Sequence, residues 1–205
     1  MRNEIVVGAQ TNSDSQTVTA RGGKGGDQIV SQLMARYYEQ CYRGNLFTAH
    51  AIVTAPVIYT TAAGTGGPLI WNGSSSVNVV LLAVTFGVTV VTTVAAALGI
   101  TGNNGQPTAP GTTTAIDSNR NLKIGGPLPL STAYRIGTPS SAGNFFLPFG
   151  HLHTGALTVD NFGVTFIDLG GCVIIPPQCW ASVAASATAS TTVASIGLVY
   201  TEVPV

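Results

Sequence analysis

Val77-Asn-Val-Val-Leu-Leu-Ala-Val-Thr-Phe-Gly-Val-Thr-Val-Val-Thr-Thr-Val-Ala-Ala-Ala-Leu-Gly-Ile100 carries no ionisable side chain, and its reading decides the fold. The run is longer than the roughly 20 residues that a helix needs to cross a bilayer. Asn78, Thr85, Gly87, Thr89, Thr92, Thr93 and Gly99 interrupt it, β-branched residues dominate, and no basic segment flanks it, so a membrane helix is the poorer account. A buried β-hairpin fits better, with strands expected at Val77–Val84 and Val88–Val94. From Val79 to Thr85 both alternating sets of side chains are apolar. Such a strand is covered on both faces, either between two sheets or by a neighbouring subunit.

Outward from this run the lack of charge continues. No Asp, Glu, Lys or Arg lies between Arg43 and Asp117, and only 8% of the 205 residues are charged, against about a quarter in an ordinary soluble chain. The surface must then consist of hydroxyls, amides and backbone, or be hidden against copies of the chain and other proteins. That points to an assembly component before an enzyme. The formal net charge is zero, which leaves no basic footprint for neutralising phosphates and argues against direct nucleic-acid binding. The N-terminus shows no apolar core followed by a small-residue cleavage site, so synthesis in a cytoplasm is expected. Three cysteines, an odd number, suit reduced thiols; Cys172 and Cys179 could face each other across a hairpin but are read as small buried hydrophobes.

The length allows one good core plus an appendage. Residues 1–26 are polar and end in Arg21-Gly-Gly-Lys-Gly-Gly26, a glycine run without the spacing of a phosphate-binding loop, and read as an arm. Asp27 then suits an N-cap. Ile29, Val30, Leu33, Met34, Tyr37, Tyr38, Cys41 and Tyr42 recur at helical spacing, and Gly44 is placed to end the helix. Residues 1–44 are therefore expected to form an arm and one amphipathic helix, and 45–205 a β body. Short β-prone runs separated by Gly, Pro, Asn and Ser follow, near 46–53, 57–61, 69–71, 112–116, 133–136, 145–147, 156–159, 164–168, 172–175, 179–186 and 191–203, which without intervening helical periods means a sandwich or barrel. The segment 101–114 reads as a loop that protrudes or wraps a neighbour, Pro176 and Pro177 as a sheet corner, and the C-terminal region as a long hairpin.

Chemistry is sparse. His151 and His153 share one face of a strand, but no third ligand is near in sequence, and ordinary histidines are the favoured reading over a metal site. No Gly-x-Ser-x-Gly elbow occurs, neither Cys172 nor Cys179 has a basic neighbour, and nothing fixes Asp160 and Asp168 at a catalytic separation. The chain is accordingly read as a non-enzyme without metal or cofactor. The densest segment is Tyr37-Tyr38-Glu39-Gln40-Cys41-Tyr42-Arg43-Gly44-Asn45-Leu46-Phe47. Its aromatics with Arg43 and Glu39 are residue types that anchor interfaces, so Tyr37, Tyr38, Glu39, Tyr42, Arg43 and Phe47 are the candidate contact residues.

The pattern at 37–47, Val-Asn-Val-Val-Leu-Leu at 77–82, Ile-Pro-Pro-x-x-x-Ala-Ser-Val at 175–183 and Leu-Val-Tyr-Thr-Glu-Val-Pro at 198–204 together resemble small structural proteins of tailed bacteriophages, over most of residues 30–205. The chain departs from that pattern at Tyr200-Thr201-Glu202, where Trp-Glu-Glu would be expected. The resemblance implies a jelly-roll-like β-sandwich, a homotrimer and a place on the capsid surface of a virion as a cement or decoration protein bound to the major capsid protein. A receptor-binding head or tail fibre knob and a single-jelly-roll major capsid protein are the alternatives. No nucleic-acid or membrane partner is expected.

Overall fold

The computed structural model describes residues 37–54, 65–90, 96–152, 164–187 and 193–205. The chain divides into two compact units, Met1–Glu39 and Gln40–Val205, and the architecture below is that of the second. Helix α1 (Tyr38–Tyr42) is a single turn. It ends where expected: Gly44 adopts φ 77°, the left-handed conformation that closes a helix, and the Asn45 N–H donates to the Gln40 carbonyl. Residues 27–36 of the expected helix lie outside the described residues.

Eleven strands follow among the described residues: β1 (Leu46–Thr54), β2 (Thr65–Asn72), β3 (Val77–Val90), β4 (Ala96–Asn103), β5 (Gly111–Ala115), β6 (Ser118–Asn121), β7 (Thr132–Thr138), β8 (Asn144–Leu152), β9 (Thr165–Ile175), β10 (Cys179–Ala185) and β11 (Val193–Pro204). The protein is mainly β, as the sequence predicts. One sheet has the order β6-β1-β11-β3-β9 and the other β5-β7-β2-β10-β4-β8, with antiparallel pairing throughout. Their facing sides share one core, to which the first sheet gives Phe47, Val79, Leu81, Val84, Ile196 and Leu198 and the second Ile70, Ile100, Ala181 and Val183. Burial of alternate side chains on both sheets is the main stabilising term of such a sandwich.

Two hairpins expected from sequence do not form. β3 is one long strand of the first sheet, unbroken at Gly87, while β4 lies in the second sheet; likewise β10 and β11 belong to different sheets. β3 takes β11 and β9 as its ladder partners, and its inward set (Val79, Leu81, Val84) is buried against the second sheet while Val80 and Leu82 on the outer face are only half-buried. The chain also crosses between sheets from β1 to β2, β2 to β3, β8 to β9 and β9 to β10. At the last of these the expected corner is present: Ile175 ends one sheet, Pro176-Pro177 turn, Gln178 takes φ 59°, and Cys179 starts the other.

Asn72 fastens this end. It is fully buried, its Nδ2 donates to the carbonyls of Val77 (2.8 Å) and Ile175 (2.9 Å), and its own carbonyl accepts the Gln178 N–H. One side chain thereby ties the β2–β3 turn to the β9–β10 corner.

The segment after β4 does not simply protrude. It folds back on the outer face of its own second sheet. Gln106 is buried, its carbonyl accepts the Trp71 indole N–H at 2.9 Å, and its Oε1 accepts the Ser140 N–H at 2.7 Å. Thr101, Trp180 and Ser182 on that outer face are buried too, and Gly143 lies close against Thr101 and the Trp180 ring. β4 itself was not foreseen, because Ala96-Ala-Leu-Gly-Ile-Thr-Gly-Asn103 is poor in β-formers. Its glycines are required by close approach: a methyl group on Gly102 would sit 2.7 Å from the Trp180 carbonyl oxygen, and one on Gly99 2.5 Å from the Phe145 ring.

Candidate functional site

Two groups of exposed apolar side chains stand out on the uncharged body, and Ile52, Val203 and Val205 are exposed as well. The first is an arm between β6 and β7. β6 pairs with β1 at the edge of the first sheet, and β7 pairs with β2 in the second, so residues 122–131 run from one sheet to the other. Proline at 127 and 129 and glycine at 125 and 126 prevent this stretch from joining either ladder. Its apolar side chains therefore find no sheet to lie on. Ile124 is fully exposed (101%), with Leu128 at 66% and Leu130 at 60%.

This arm is nevertheless held. The Glu202 carboxylate accepts the N–H groups of Leu130 (2.9 Å) and Ser131 (2.7 Å), and the Leu122 N–H donates to the Leu46 carbonyl. The Asn121 amide donates to the carbonyls of Gly44 (2.6 Å) and Pro127 (3.1 Å). Lys123, the one charge on the arm, donates from Nζ to the Tyr42 carbonyl at 2.8 Å and lies 5.2 Å above the Tyr42 ring, a cation–π contact. Apart from Lys123, the exposed side chains of the arm are hydrocarbon.

The second place is the β9–β10 corner with the end of β4 and Phe146 of β8. An open cleft of about 250 Å³ is lined by Phe146, Val173, Ile174, Cys179 and Trp180 among others, and no lining residue is charged. Phe146 and Ile174 stand at 51% and 57% exposure on its walls. Phe166, at 57%, is exposed near the other end of β9, with exposed Asp168 between it and Ile174.

Of the contact residues expected from sequence, Tyr38 and Tyr42 are exposed at 44% and 63%, Arg43 is exposed, and Tyr37 is half-buried. The side chain of Glu39 lies outside the described residues. Phe47 does not belong with them: it is 4% exposed and packs on Tyr200, ring centroids 5.5 Å apart, as a core residue of its own subunit. Alternation along β1 puts it on the same face as Ala49, Ala51 and Val53. Sequence reasoning passed over Ile124, Leu128, Phe146 and Ile174. The signal for the arm was present in the Pro-x-Pro-punctuated apolar run, since proline excludes an interior strand.

Among the described residues no three His, Cys, Asp or Glu side chains gather to hold a metal. His153, Asp160 and the side chain of His151 lie outside the described residues. Asp168 has a local role, its Oδ1 accepting the Gly170 N–H at 2.8 Å where the left-handed Gly170-Gly171 pair makes a bulge in β9. The three thiols are free. Cys172 is exposed rather than buried as expected, because it falls on the outward register of β9; Cys179 is half-buried, and burial pushes its thiol above the ordinary value against a hydrogen bond from the Gly105 backbone. No described helix is long and apolar enough to cross a membrane.

No protein-family model matches the chain, no curated protein matches its sequence, and no solved structure matches its fold.

Proposed function

We propose that this chain is a virion shell protein, a bacteriophage capsid cement or decoration protein that assembles with copies of itself as a trimer and bridges major capsid subunits on the head surface after synthesis in the host cytoplasm. The observation that carries the reading is strand order. Without β5, β6 and β7, which are inserted between β4 and β8, the sheets are β1-β11-β3-β9 and β2-β10-β4-β8. That order supports the double-sheet jelly roll, an architecture that recurs in capsid domains. Fold alone does not assign a role. The second support is the surface, uncharged from residue 44 to 116 and carrying exposed Ile124, Leu128, Phe146 and Ile174. Contiguous apolar exposure is a mark of surfaces that bind other proteins, and these side chains are the candidates for it.

The mechanism is mass action: each contact that a subunit makes only with an assembled lattice stabilises that lattice by the free energy of the contact. A specific contact of this kind buries at least about 1,000 Å².

The strand order also favours a second reading, a single-jelly-roll major capsid protein. Expression of the chain alone distinguishes them. A cement protein gives small soluble oligomers that bind pre-formed heads, and a major capsid protein gives closed shells. A soluble monomer without affinity for any particle overturns both, and a protein present in only a few copies per virion is a fibre knob instead.

A further inference from the structure

Asparagine is followed by glycine at two places in the chain, Asn72-Gly73 and Asn104-Gly105, and the fold treats them in opposite ways. Glycine carries no side chain to shield its backbone nitrogen, so that nitrogen can approach the amide carbon of the preceding asparagine. At Asn72 this approach is blocked. The residue is fully buried, its Nδ2 donates to the Val77 and Ile175 carbonyls, its Oδ1 accepts the Ser74 N–H at 3.2 Å, and the Trp71 ring lies against Gly73. Asn103 is held as well, donating from Nδ2 to the Ala142 carbonyl at 2.7 Å and to the Ser141 hydroxyl at 3.1 Å. Asn104 is not. It and Gly105 are exposed, its only hydrogen bond among the described residues runs from its backbone N–H to Asn103 Oδ1, and a methyl group on Gly105 would meet nothing within 4 Å. The Gly105 N–H has the Cys179 sulfur as its acceptor, and thiol sulfur accepts weakly.

We infer that Asn104 is a site of spontaneous modification, deamidating through a cyclic imide while Asn72 in the same folded chain stays intact. Hydroxide or a buffer base removes the Gly105 N–H proton. The freed nitrogen bonds to Asn104 Cγ, and Nδ2 leaves as ammonia. Water then adds to either carbonyl of the imide, and ring opening gives aspartate or isoaspartate. One water enters, one ammonia departs, and nothing is oxidised or reduced. Asn104 lines the apolar cleft, so either product sets a carboxylate in a lining that has no charge. Isoaspartate also adds a methylene to the main chain just before Gln106, whose N–H donates to the Gln178 carbonyl and whose carbonyl accepts the Trp71 indole N–H. The charge of the cleft therefore changes with the age of the molecule, without an enzyme and faster at higher pH. This inference does not rest on the shell-protein reading above.

The test is peptide mapping by mass spectrometry of the full chain aged at mildly alkaline pH, folded in one sample and unfolded in guanidinium chloride in another. Trypsin releases both asparagine–glycine steps on one peptide, Gly44–Arg120, since no Lys or Arg lies between its ends. Fragment ions then assign the mass gain to its residue, and electron-based fragmentation separates isoaspartate from aspartate. In the folded chain Asn104 should convert more than about tenfold faster than Asn72, which reacts only when its turn opens. Unfolded, the two should convert at similar rates. Asn104→Gln, at an exposed position, keeps the fold and would have to close a larger ring, so the folded variant should show no gain there. Equal rates at Asn72 and Asn104 in the folded chain overturn the inference. So does an Asn104 that stays intact in the folded chain over the time in which the unfolded chain converts.

Discussion

The hydroxyl of Tyr200 donates a 2.8 Å hydrogen bond to Oδ1 of Asn119, joining the central strand of the first sheet to the inserted strand at its edge. Tyr200 is fully buried, its ring rests on Phe47, and Ser131, at the foot of the exposed arm, donates to the same hydroxyl at 3.4 Å. The core and the insertion therefore meet at one polar atom.

Replacing Tyr200 by Phe keeps the packing and leaves Asn119 Oδ1 without its donor, a loss of about 1–3 kcal/mol of unfolding free energy measurable in denaturant. Burial, reinforced by the negative charge of Glu202, raises the Tyr200 pKa well above its ordinary value of 10.0. The folded chain thus holds this proton more tightly than the unfolded chain. Its contribution is complete below pH 10.0 and is lost as pH climbs towards the folded-state value. The parent chain should accordingly lose stability more steeply above that pH than Tyr200→Phe does.

Glu202→Gln substitutes an amide that can accept one backbone N–H but presents a donor to the other. Hydrogen bonds to an ionised acceptor are worth about 1.5–3 kcal/mol, so the change should release the arm root. Hydrogen exchange at the Leu130 and Ser131 amides should speed up, while amides of β3 and β11 keep their protection. Unchanged exchange at both would remove Glu202 from this role.

Asn72→Ala leaves the Val77 and Ile175 carbonyls buried without donors and should destabilise the protein by about 3 kcal/mol. Asn72→Asp should be worse, since it sets a carboxylate against two carbonyl oxygens. Gly102→Ala, which forces a methyl group onto a backbone oxygen that cannot move aside, should cost about 1–3 kcal/mol. Chemical denaturation ranks all three.

On the proposed shell-protein reading, self-association and attachment to particles should respond weakly to salt, because the body is uncharged from residue 44 to 116 and Debye screening acts only on charges. The concentration for half-association should change by less than about threefold between low and about 0.5 M sodium chloride. Dissociation by salt alone would place the contact elsewhere, near the charged residues of the first fifth of the chain.

The β class, the corner at Pro176-Pro177 and the helix end at Gly44 were legible, since each follows from local periodicity or from what proline and glycine permit. Strand pairing was not. Val77–Ile100 and the last thirty or so residues read as hairpins because nearness in sequence favours pairing, whereas the core residues of β3 and β10 are satisfied by crossing between sheets. β4 escaped notice because its small residues are selected by the nearness of Trp180 and Phe145, which only the tertiary structure brings there. Within the candidate site, Tyr42 and Arg43 were legible as exposed contact types. Phe47 was misplaced because an aromatic cluster in sequence does not say which ring turns inward.

β11 lies between β1 and β3 in the first sheet, yet it is made after both. A nascent chain that stops short of Val193 holds two strands with a gap between them, and its longest-range pairing, Leu46 with Thr201, cannot begin. Closure of the first sheet is thus deferred until Val193–Pro204 has been made, and a chain that stops earlier lacks the one strand that joins β1 to β3. The strand synthesised after its two neighbours is the keystone of the sheet.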